Sequence, residues 1–414
     1  MPRLSLLIFL LLLTGSVRSQ DAVLSIGFDG DVVAGRWNPF EFSFRDFSRV
    51  TLTFTIDQGD LRSGSLPAVH TFELAGGPGL TVVEDDLFVP AWQSFTWTAA
   101  TPQRVIASGS FHPRDLDTRP LAVILSTAAA RHAHLVPPDT RLVAQPSARL
   151  PERLAAWDGV SMLVIDGSTA PPSTQSVAAA AVAGASVVVL EPLPASFDDI
   201  LLLASGPVTR LGSGQIMLGL EPDLLQQPPD ALALEQYLAT RNELELVPPV
   251  KLVFLAPLVL IYCVATVLLF RAAGLPGAVA GSAVGLLVAV LAWPSLMPQP
   301  ALVTGTMQLK VSAGGLSRSH STVQVLDRRG GQLDLTGSYR PLTATPYTFA
   351  AGSTSLAAPR WRPVQLFSRP VLAAAGEAPL EDGLADDILL FFPEGSKARV
   401  TGDLIEVFLP EASP

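Results

Sequence analysis

Long uncharged runs mark three segments of the chain, and shorter apolar runs fill the regions between them. The first long run, LSLLIFLLLL, follows Pro2-Arg3 and precedes a short stretch of small residues that ends at Ser19. A basic start, an apolar middle and a small-residue exit are typical of a secretory signal peptide. We therefore expect residues 1–19 to be a signal peptide and the mature chain to begin near Gln20. If residues 1–19 instead stay attached as a membrane anchor, the region that follows them is exported as well.

Two further uncharged runs predict transmembrane helices at residues 250–271 and 274–297. The run Leu252 to Phe270 would span about 28 Å at about 1.5 Å per residue, close to the hydrocarbon core of about 30 Å. If both runs cross, the regions on either side of them lie on the same side of the membrane. Arg271 in the short inner loop agrees with the positive-inside rule. We expect both flanking regions to be extracytoplasmic.

Three glycines of the second run, Gly277, Gly281 and Gly285, recur at a spacing of four and share one helix face. Small residues at this spacing let two helices approach closely in lipid. The favoured partner is the preceding helix, in a hairpin that turns at Gly274-Leu275-Pro276. A second protein or a second copy is the alternative partner, and the glycines are also compatible with nothing more than an Ala/Gly-rich membrane helix.

Residues 20–115 contain short runs rich in Val, Thr and aromatic residues, separated by Gly, Pro and Asp, a pattern typical of a β-sandwich of immunoglobulin-like type. In the segment GRWNPFEFSF, alternation places Phe40, Phe42 and Phe44 on one face, where we expect them to be core. An aromatic ligand platform is the alternative. For Glu84 to Asp86 we expect a solvated strand edge rather than a calcium site, because the spacing fits no standard loop.

The pattern changes to continuous apolar runs in residues 116–221, which predicts an α/β unit with a parallel sheet covered on both faces. Ser173 is the expected N-cap of a helix that ends at Gly184. Ligands bind such sheets beyond the carboxyl ends of the strands. The candidate ligand or cleft residues that arrive there are Ser126, Thr127, Asp166, Ser168 and Glu191.

The remaining regions are a connector at residues 222–249, with a short amphipathic helix from about Ala231 to Thr240, and a β-rich region at residues 303–414. The latter contains a local basic patch, Arg360, Arg362 and Arg369, around Trp361. Surface stacking of cations on aromatic rings is the expected role of this patch. Binding of an acidic polymer, lipid headgroups or a protein is the alternative.

Composition narrows the possible functions. The net charge of -10 disfavours a nucleic-acid partner, since the surface is too acidic to neutralise phosphates. The single cysteine, Cys263, excludes a disulfide framework and a CxxC metal or redox pair. The high share of hydrophobic residues, 49%, against 15% charged residues favours a membrane-embedded part. The lipid bilayer is therefore an expected partner.

Two adjacent segments, LPERLAAWDGVSMLVIDG and TQSVAAAAVAGASVVVLEP, resemble bacterial membrane-anchored envelope proteins. In these proteins a β-sandwich precedes a domain similar to class I glutamine amidotransferases, and membrane helices follow. The resemblance covers about 100 residues, and where relatives carry Gly-Gly this chain has Gly184-Ala185. It implies a multidomain α+β membrane protein, a flavodoxin-like or amidotransferase-like fold for the α/β domain at residues 116–221, and a place in the cell envelope.

The catalytic part of that resemblance is missing. An amidotransferase requires a cysteine on a strand-to-helix turn, but Cys263 lies in the first predicted transmembrane helix, and no G-x-S-x-G elbow, P-loop or GxGxxG pattern replaces it. His132 and His134 are expected to lie in a polar loop, with a metal site as the alternative. We expect no cofactor and no metal.

The expected function is a non-catalytic envelope scaffold or binding module with a protein partner. A hydrolase that uses Asp166 or Glu191, and an accessory subunit of a transport or secretion complex that assembles through the glycine face, are the alternatives.

Overall fold

A computed structural model describes residues 22–57, 67–89, 95–111, 118–145, 149–190, 193–219, 231–241, 252–296, 303–327, 330–342, 346–350, 352–359, 363–377 and 386–411. The predicted signal peptide, residues 1–19, lies outside them. The described part is mixed α/β and rich in strands, and its strands form four sheets.

The strands are β1 (Ala22–Ile26), β2 (Arg36–Arg45), β3 (Arg49–Asp57), β4 (Pro67–Ala75), β5 (Leu80–Val89), β6 (Phe95–Ala100), β7 (Val105–Phe111), β8 (Leu121–Leu125), β9 (Arg141–Gln145), β10 (Val160–Ile165), β11 (Ser186–Val189), β12 (Val208–Leu211), β13 (Gly214–Leu218), β14 (Val303–Ala313), β15 (Leu316–Leu326), β16 (Gly331–Thr336), β17 (Tyr339–Pro341), β18 (Tyr347–Ala350), β19 (Ser353–Ala358), β20 (Pro363–Ser368), β21 (Val371–Ala374), β22 (Lys397–Thr401) and β23 (Leu404–Phe408). The α-helices are α1 (Thr174–Ala183), α2 (Asp198–Leu201), α3 (Ala231–Arg241), α4 (Leu252–Leu296) and α5 (Asp386–Leu389), and 3-10 helices cover Ala129–Leu135, Leu154–Trp157 and Ala195–Phe197.

A six-stranded sheet occupies the middle of the chain, in the order β12-β13-β11-β10-β8-β9. All neighbouring strands are parallel except β12, which forms an antiparallel edge against β13. Alternate residues of the central strands enter two different cores: Leu163 and Ile165 pack with α1 on one face, and Met162 and Val164 pack on the other. Burial on both faces explains why these strands are continuously apolar. The predicted parallel α/β sheet is confirmed.

Helix α1 begins and ends where its sequence predicts. The backbone N–H of Ser176 donates to Oγ of Ser173 at 3.1 Å, so Ser173 is the N-cap. The helix ends at Gly184, whose φ of 120° suits a residue without a Cβ. Strand β11 starts two residues later, so this helix positions the strand against β10.

The first part of the chain folds as a strand-rich sandwich. Strands β1, β2 and β5 form a three-stranded sheet, and β3, β4, β6 and β7 belong to a seven-stranded sheet. Phe40, Phe42 and Phe44 alternate along β2 and lie in the core shared with β3 and β4, each no more than 2% exposed. Their prediction as core residues is confirmed.

The seven-stranded sheet also contains strands from far along the chain. Its order is β16-β19-β18-β4-β3-β6-β7, so three strands that follow α4 complete a sheet begun before it. The contact is a parallel pairing of β18 with β4, in which Phe349 lies opposite His70. There His70 Nε2 is 2.9 Å from the hydroxyl of Tyr347, and both residues are buried. The regions before and after α4 thus share one sheet and one core.

The remaining strands form a second seven-stranded sheet, in the order β17-β20-β15-β14-β23-β22, with β21 paired to β15. Val325 and Leu366 on one face join the sandwich core, whereas Leu309 and Val407 pack with Leu238 of α3. The predicted amphipathic helix at 231–240 is present as α3, and its apolar side covers this sheet.

Ion pairs join the α/β region to the strand-rich regions. Asp158, which precedes β10, pairs with Arg36 of β2 and Arg318 of β15, and we call these three residues the junction. Arg318 Nη2 donates to Asp158 Oδ1 at 2.6 Å, and Arg36 Nη1 lies 3.9 Å from the same oxygen. Arg318 also donates to the carbonyl of Ala183 in α1. Burial alone would raise the pKa of the Asp158 carboxyl, but the nearby arginines outweigh it and hold that pKa below its usual value. The junction therefore carries an ionised aspartate in the interior.

Helix α4 corrects the prediction of two separate transmembrane helices. The described residues contain one helix long and apolar enough to cross a membrane, at Tyr262–Gly285, with a mean hydropathy of 1.7 and no part of it buried. The predicted spans 250–271 and 274–297 are the two halves of α4, which is interrupted only at Gly274 (φ 64°, ψ -152°). The break at Gly274, three residues after Arg271, divides α4 into two helical halves.

The break nevertheless brings the halves of α4 into contact. A Cβ placed on Gly281 would lie 2.6 Å from Cδ1 of Leu269, and one on Gly285 would collide with the ring of Tyr262. A Cβ on Gly277 would likewise meet the carbonyl of Leu269. The glycine face is therefore occupied by residues of the same chain that precede Gly274.

Candidate functional site

Four of the predicted cleft residues meet at the carboxyl edge of the parallel sheet. Ser126 and Thr127 follow β8, whereas Asp166 and Ser168 follow β10. Strands β8 and β10 are neighbours in parallel register, with Leu125 opposite Ile165, so the residues after them lie side by side. Glu191, the fifth, lies outside the described residues. We call Ser126, Asp166, Ser168 and His132 the strand-tip cluster.

The cluster is organised around the Asp166 carboxylate. Ser126 Oγ donates to Asp166 Oδ2, and the backbone N–H of Ser168 donates to Oδ1 at 2.9 Å. Ser126 Oγ in turn accepts from the N–H of Ala128 at 2.9 Å, and Ser168 Oγ accepts from the N–H of Thr127 at 2.9 Å. These bonds tie the two loops together at the edge of the sheet.

His132 completes the cluster and was not predicted to belong to it. It lies in the 3-10 helix Ala129–Leu135 that follows β8, and its Nε2 is 2.9 Å from Asp166 Oδ2. His134 points elsewhere, since its Nδ1 is 2.9 Å from the carbonyl of Arg131. The two histidines therefore do not converge. Among the described residues, no group of three or more His, Cys, Asp or Glu side chains could hold a metal ion.

Hydrogen bonding decides the charge of Asp166. Partial burial would raise the pKa of its carboxyl, but bonds from Ser126, Ser168 and His132 outweigh this and lower the pKa to about 2. The carboxylate therefore stays ionised across the physiological range. Because His132 faces this acceptor through Nε2, a neutral imidazole would carry its proton there and leave Nδ1 as an acceptor.

The arrangement differs from that of an activated serine. In a nucleophilic triad the serine hydroxyl donates to a histidine, which the carboxylate orients from its other side. Here Ser126 donates to the carboxylate itself, and its oxygen already accepts from Ala128. The cluster can hold a charge in place, position His132 and fix two loops, and it lacks the serine-to-histidine bond of that triad.

A second acidic group departs in part from the solvated edge predicted at Glu84 to Asp86: Glu84 is exposed as predicted, whereas Asp86 is buried. Asp86 is 0% exposed, and its Oδ1 accepts from Arg153 Nε at 3.2 Å. Burial is the dominant effect and raises the pKa of Asp86 to about 6, although Arg153 and Arg369 oppose the shift. Asp86 is covered because Arg153 of the α/β region and Arg369, between β20 and β21, pack against it.

One arginine of the predicted basic patch, Arg369, pairs with the acidic residues of β5. Arg369 Nη1 donates to Asp85 Oδ1 at 2.9 Å and lies 3.7 Å from Asp86 Oδ2. Arg360, Trp361 and Arg362 lie outside the described residues. Arg369 thus pairs with acidic groups of this chain.

Comparison with protein-family models gives no match, and comparison with curated proteins gives none either. A solved structure that the chain resembles is "Bacteroides uniformis beta-glucuronidase 2 covalently bound to cyclophellitol-6-carboxylate aziridine". The identity is 10%, the match covers 43% of this chain and 24% of that chain, and the TM-score is 0.15. The chain thus spans about a quarter of that protein, and a likeness at this score supports neither a common fold nor a common activity.

Proposed function

We propose that this chain is a membrane-anchored extracytoplasmic envelope protein that acts as a scaffold or binding module without catalysis. The observation that carries the proposal is the pairing of β4, which precedes α4 in the chain, with β18, which follows it. In this proposal residues 1–19 direct export, α4 enters the bilayer, and the strand-rich and α/β regions bind a protein partner outside it. The finer assignments, an immunoglobulin-like sandwich and an amidotransferase-like α/β domain, belong to the same proposal.

The shared sheet constrains how α4 can enter a membrane. Residues that pair in one sheet lie on the same side of a bilayer, because an open sheet edge does not cross hydrocarbon. The segment between β4 and β18 must therefore cross an even number of times. Two crossings by α4, with the turn at Gly274, satisfy this condition.

The geometry of α4 supports that topology. Each half, residues 252–273 and 275–296, would span about 33 Å at about 1.5 Å per residue, enough for a hydrocarbon core of about 30 Å. The close approach of Gly281 to Leu269 gives the halves the packing expected of small residues in lipid. The same contact disfavours an accessory subunit that assembles through Gly277, Gly281 and Gly285, since these glycines already pack against residues of this chain.

The strand-tip cluster supports the non-catalytic part of the proposal. Ser126 donates to Asp166 rather than to a histidine, and Ser126, Ser168 and His132 hold Asp166 ionised. An acid with a pKa of about 2 is a poor proton donor near neutral pH. A surface of fixed loops around a permanent charge suits recognition of a partner.

Substituted-cysteine accessibility tests the topology. In a Cys263→Ala background, Glu73→Cys before α4 and Asp334→Cys after it should both react with a membrane-impermeant maleimide on intact spheroplasts. Leu275→Cys, in the turn, should react only after permeabilisation. Reaction of positions 73 and 334 from opposite sides would contradict the proposal, as would outside labelling of position 275. Crosslinking in intact cells then identifies the bound partner.

One observation favours a second candidate, a hydrolase. The His132–Asp166 pair, at 2.9 Å, is a dyad, and Nδ1 of a neutral His132 would be the atom that takes a proton from water. His132→Gln should then abolish hydrolysis of envelope material, whereas His134→Gln, the matched control, should leave it intact. Equal activity of both variants and the parent chain would exclude the dyad.

A further inference from the structure

We propose that three oxygens of the strand-tip cluster, from Ser126, Asp166 and Ser168, form a binding site for a divalent cation of the Mg²⁺ type. The inference goes beyond the proposed function, since a scaffold or binding module need not hold a metal ion. The two serines decide the matter, because Asp166 and His132 alone are too few ligands.

The three side chains contact one another at the carboxyl edge of the parallel sheet. Ser126 Oγ donates to Asp166 Oδ2, and the hydroxyl oxygens of Ser126 and Ser168 are 3.4 Å apart. A side-chain hydrogen bond from Ser168 to the Asp166 carboxylate closes the triangle. Three ligands on one face of an octahedron form such a triangle, because bonds of about 2.0–2.1 Å to Mg²⁺ place neighbouring oxygens about 3 Å apart.

Backbone donors hold both hydroxyl oxygens in place. The N–H of Ala128 donates to Ser126 Oγ at 2.9 Å, and the N–H of Thr127 donates to Ser168 Oγ at 2.9 Å. A hydroxyl oxygen has two lone pairs, so one on each serine is left to bind a cation. The cation would replace the long contact between the serines and the Ser126 hydrogen at Asp166.

The turn after β10 brings two of the ligands to one place. Gly167 has a φ of 71°, and a Cβ on it would lie 2.9 Å from side-chain atoms of residues 193 and 194. This turn lets the N–H of Ser168 donate to Asp166 Oδ1 at 2.9 Å, while Oδ2 faces Ser126. The sequence Asp-Gly-Ser after a buried strand therefore supplies a carboxylate and a hydroxyl together.

Exposure gives the site an entry path and room for water. Ser168 is exposed, the Asp166 side chain is 12% exposed, and Ser126 is buried beneath them. Oxygen ligands suit Mg²⁺ and Mn²⁺. Mg²⁺ in particular binds through one or two carboxylates and keeps several of its waters. One carboxylate and two hydroxyls beside solvent match this preference.

His132 supports the site from outside the triangle. Its Nε2 is 2.9 Å from Asp166 Oδ2, so it orients the carboxylate, as hydrogen-bonding partners of metal ligands commonly do. The site thus differs from the metal alternative at His132 and His134, because His134 Nδ1 faces the carbonyl of Arg131 instead.

Titration of the full-length protein in detergent with Mn²⁺, with the free ion followed by electron paramagnetic resonance, tests the inference. Salt at about 0.15 M screens weak binding to exposed carboxylates. Ser168→Ala removes an exposed ligand, and Asp166→Asn removes the charge. Thr169→Ala is the matched control, because the neighbouring Thr169 hydroxyl donates to the carbonyl of Ala170.

We expect the parent chain and Thr169→Ala to bind a Mn²⁺ ion that Mg²⁺ displaces. Ser168→Ala should weaken this binding at least about tenfold, since loss of even an indirect partner of a metal costs about 10–100-fold in affinity. Asp166→Asn should abolish it. Absence of a displaceable ion in the parent chain, or parental affinity in Ser168→Ala or Asp166→Asn, would overturn the site and leave the scaffold proposal intact.

Discussion

The pKa of an aspartate carboxyl is shifted in opposite directions at the strand-tip cluster and at the buried Asp86. At the strand tip, hydrogen bonds from Ser126, Ser168 and His132 keep Asp166 ionised at the edge of a sheet. At Asp86, burial outweighs two arginines and raises the pKa to about 6. Short-range donors thus set the charge at the protein surface, whereas desolvation competes with ion pairing where the regions of the chain meet. This difference predicts where substitutions are most damaging.

The largest effect is expected at the junction. Arg318→Met removes the closest cation from the buried Asp158, leaving Arg36 at 3.9 Å and the N–H of Trp37 at 3.3 Å, and should lower the free energy of unfolding by about 3–5 kcal/mol. Urea unfolding of the two proteins measures this. Arg49→Met is the matched control, because the Arg49–Glu73 pair is exposed and such pairs contribute about 0–1 kcal/mol. Equal losses in both variants would mean that the junction is no more important than a surface pair.

A pH-dependent effect of about 3 kcal/mol is expected from Asp86. Its pKa rises from 3.8 to about 6 on folding, so between these values the folded chain binds more protons than the unfolded chain. The free energy of unfolding should therefore fall by about 3 kcal/mol as pH rises from about 4 to about 6, at about 1.4 kcal/mol per unit of pKa shift. Asp86→Asn should remove this fall, as unfolding curves at several pH values would reveal. A fall of the same size in the variant would contradict the assignment to Asp86.

A smaller loss, about 1–3 kcal/mol, is expected at the seam between β4 and β18. Tyr347→Phe removes the hydroxyl 2.9 Å from His70 Nε2 and leaves a buried imidazole nitrogen without a partner. Thermal unfolding is the measurement, and Tyr339→Phe, at a less buried position on β17, is the control. An unchanged midpoint for Tyr347→Phe would show that the bond contributes nothing.

The smallest loss, about 1–2 kcal/mol, is expected for Asp166→Asn, which weakens charge-assisted hydrogen bonds at the strand tip. Since the pKa of Asp166 is lowered on folding, its stabilising contribution is present above about pH 4 and disappears as pH falls toward about 2. This sign is opposite to that of Asp86. Acid unfolding of the parent chain and of Asp166→Asn, with Asp334→Asn as an exposed control, measures it. An unaltered acid limb in Asp166→Asn would contradict the assignment.

Local patterns predicted much of the α/β region and part of its site. Continuous apolar runs predict β8, β10 and β11, because strands buried on both faces have no polar alternation. Ser173 and Gly184 bracket α1 through backbone requirements that depend on neighbouring residues alone. The convergence of Ser126 and Asp166 also follows, since adjacent parallel strands end at the same edge.

Long-range contacts could not be predicted in this way. The 3-10 helix that places His132 beside Asp166 shows no periodic pattern of apolar residues. The sequence therefore predicts only a polar loop at this histidine. Asp86 reads as an exposed acid because Arg153 and Arg369, its partners, are distant in sequence. The pairing of β18 with β4 leaves no mark in either strand, since an open edge accepts many strands of similar pattern.

The pairing of β4 with β18 also sets an order of events during biosynthesis. Strand β4 leaves the ribosome long before β18, so its hydrogen-bonding edge, at Val69 to Thr71, has no native neighbour while the intervening chain is still being made and translocated. Closure of so large a loop is slow, and an unpaired edge invites association with other chains. A chaperone that shields this edge until translation is nearly finished would therefore raise the yield of folded protein.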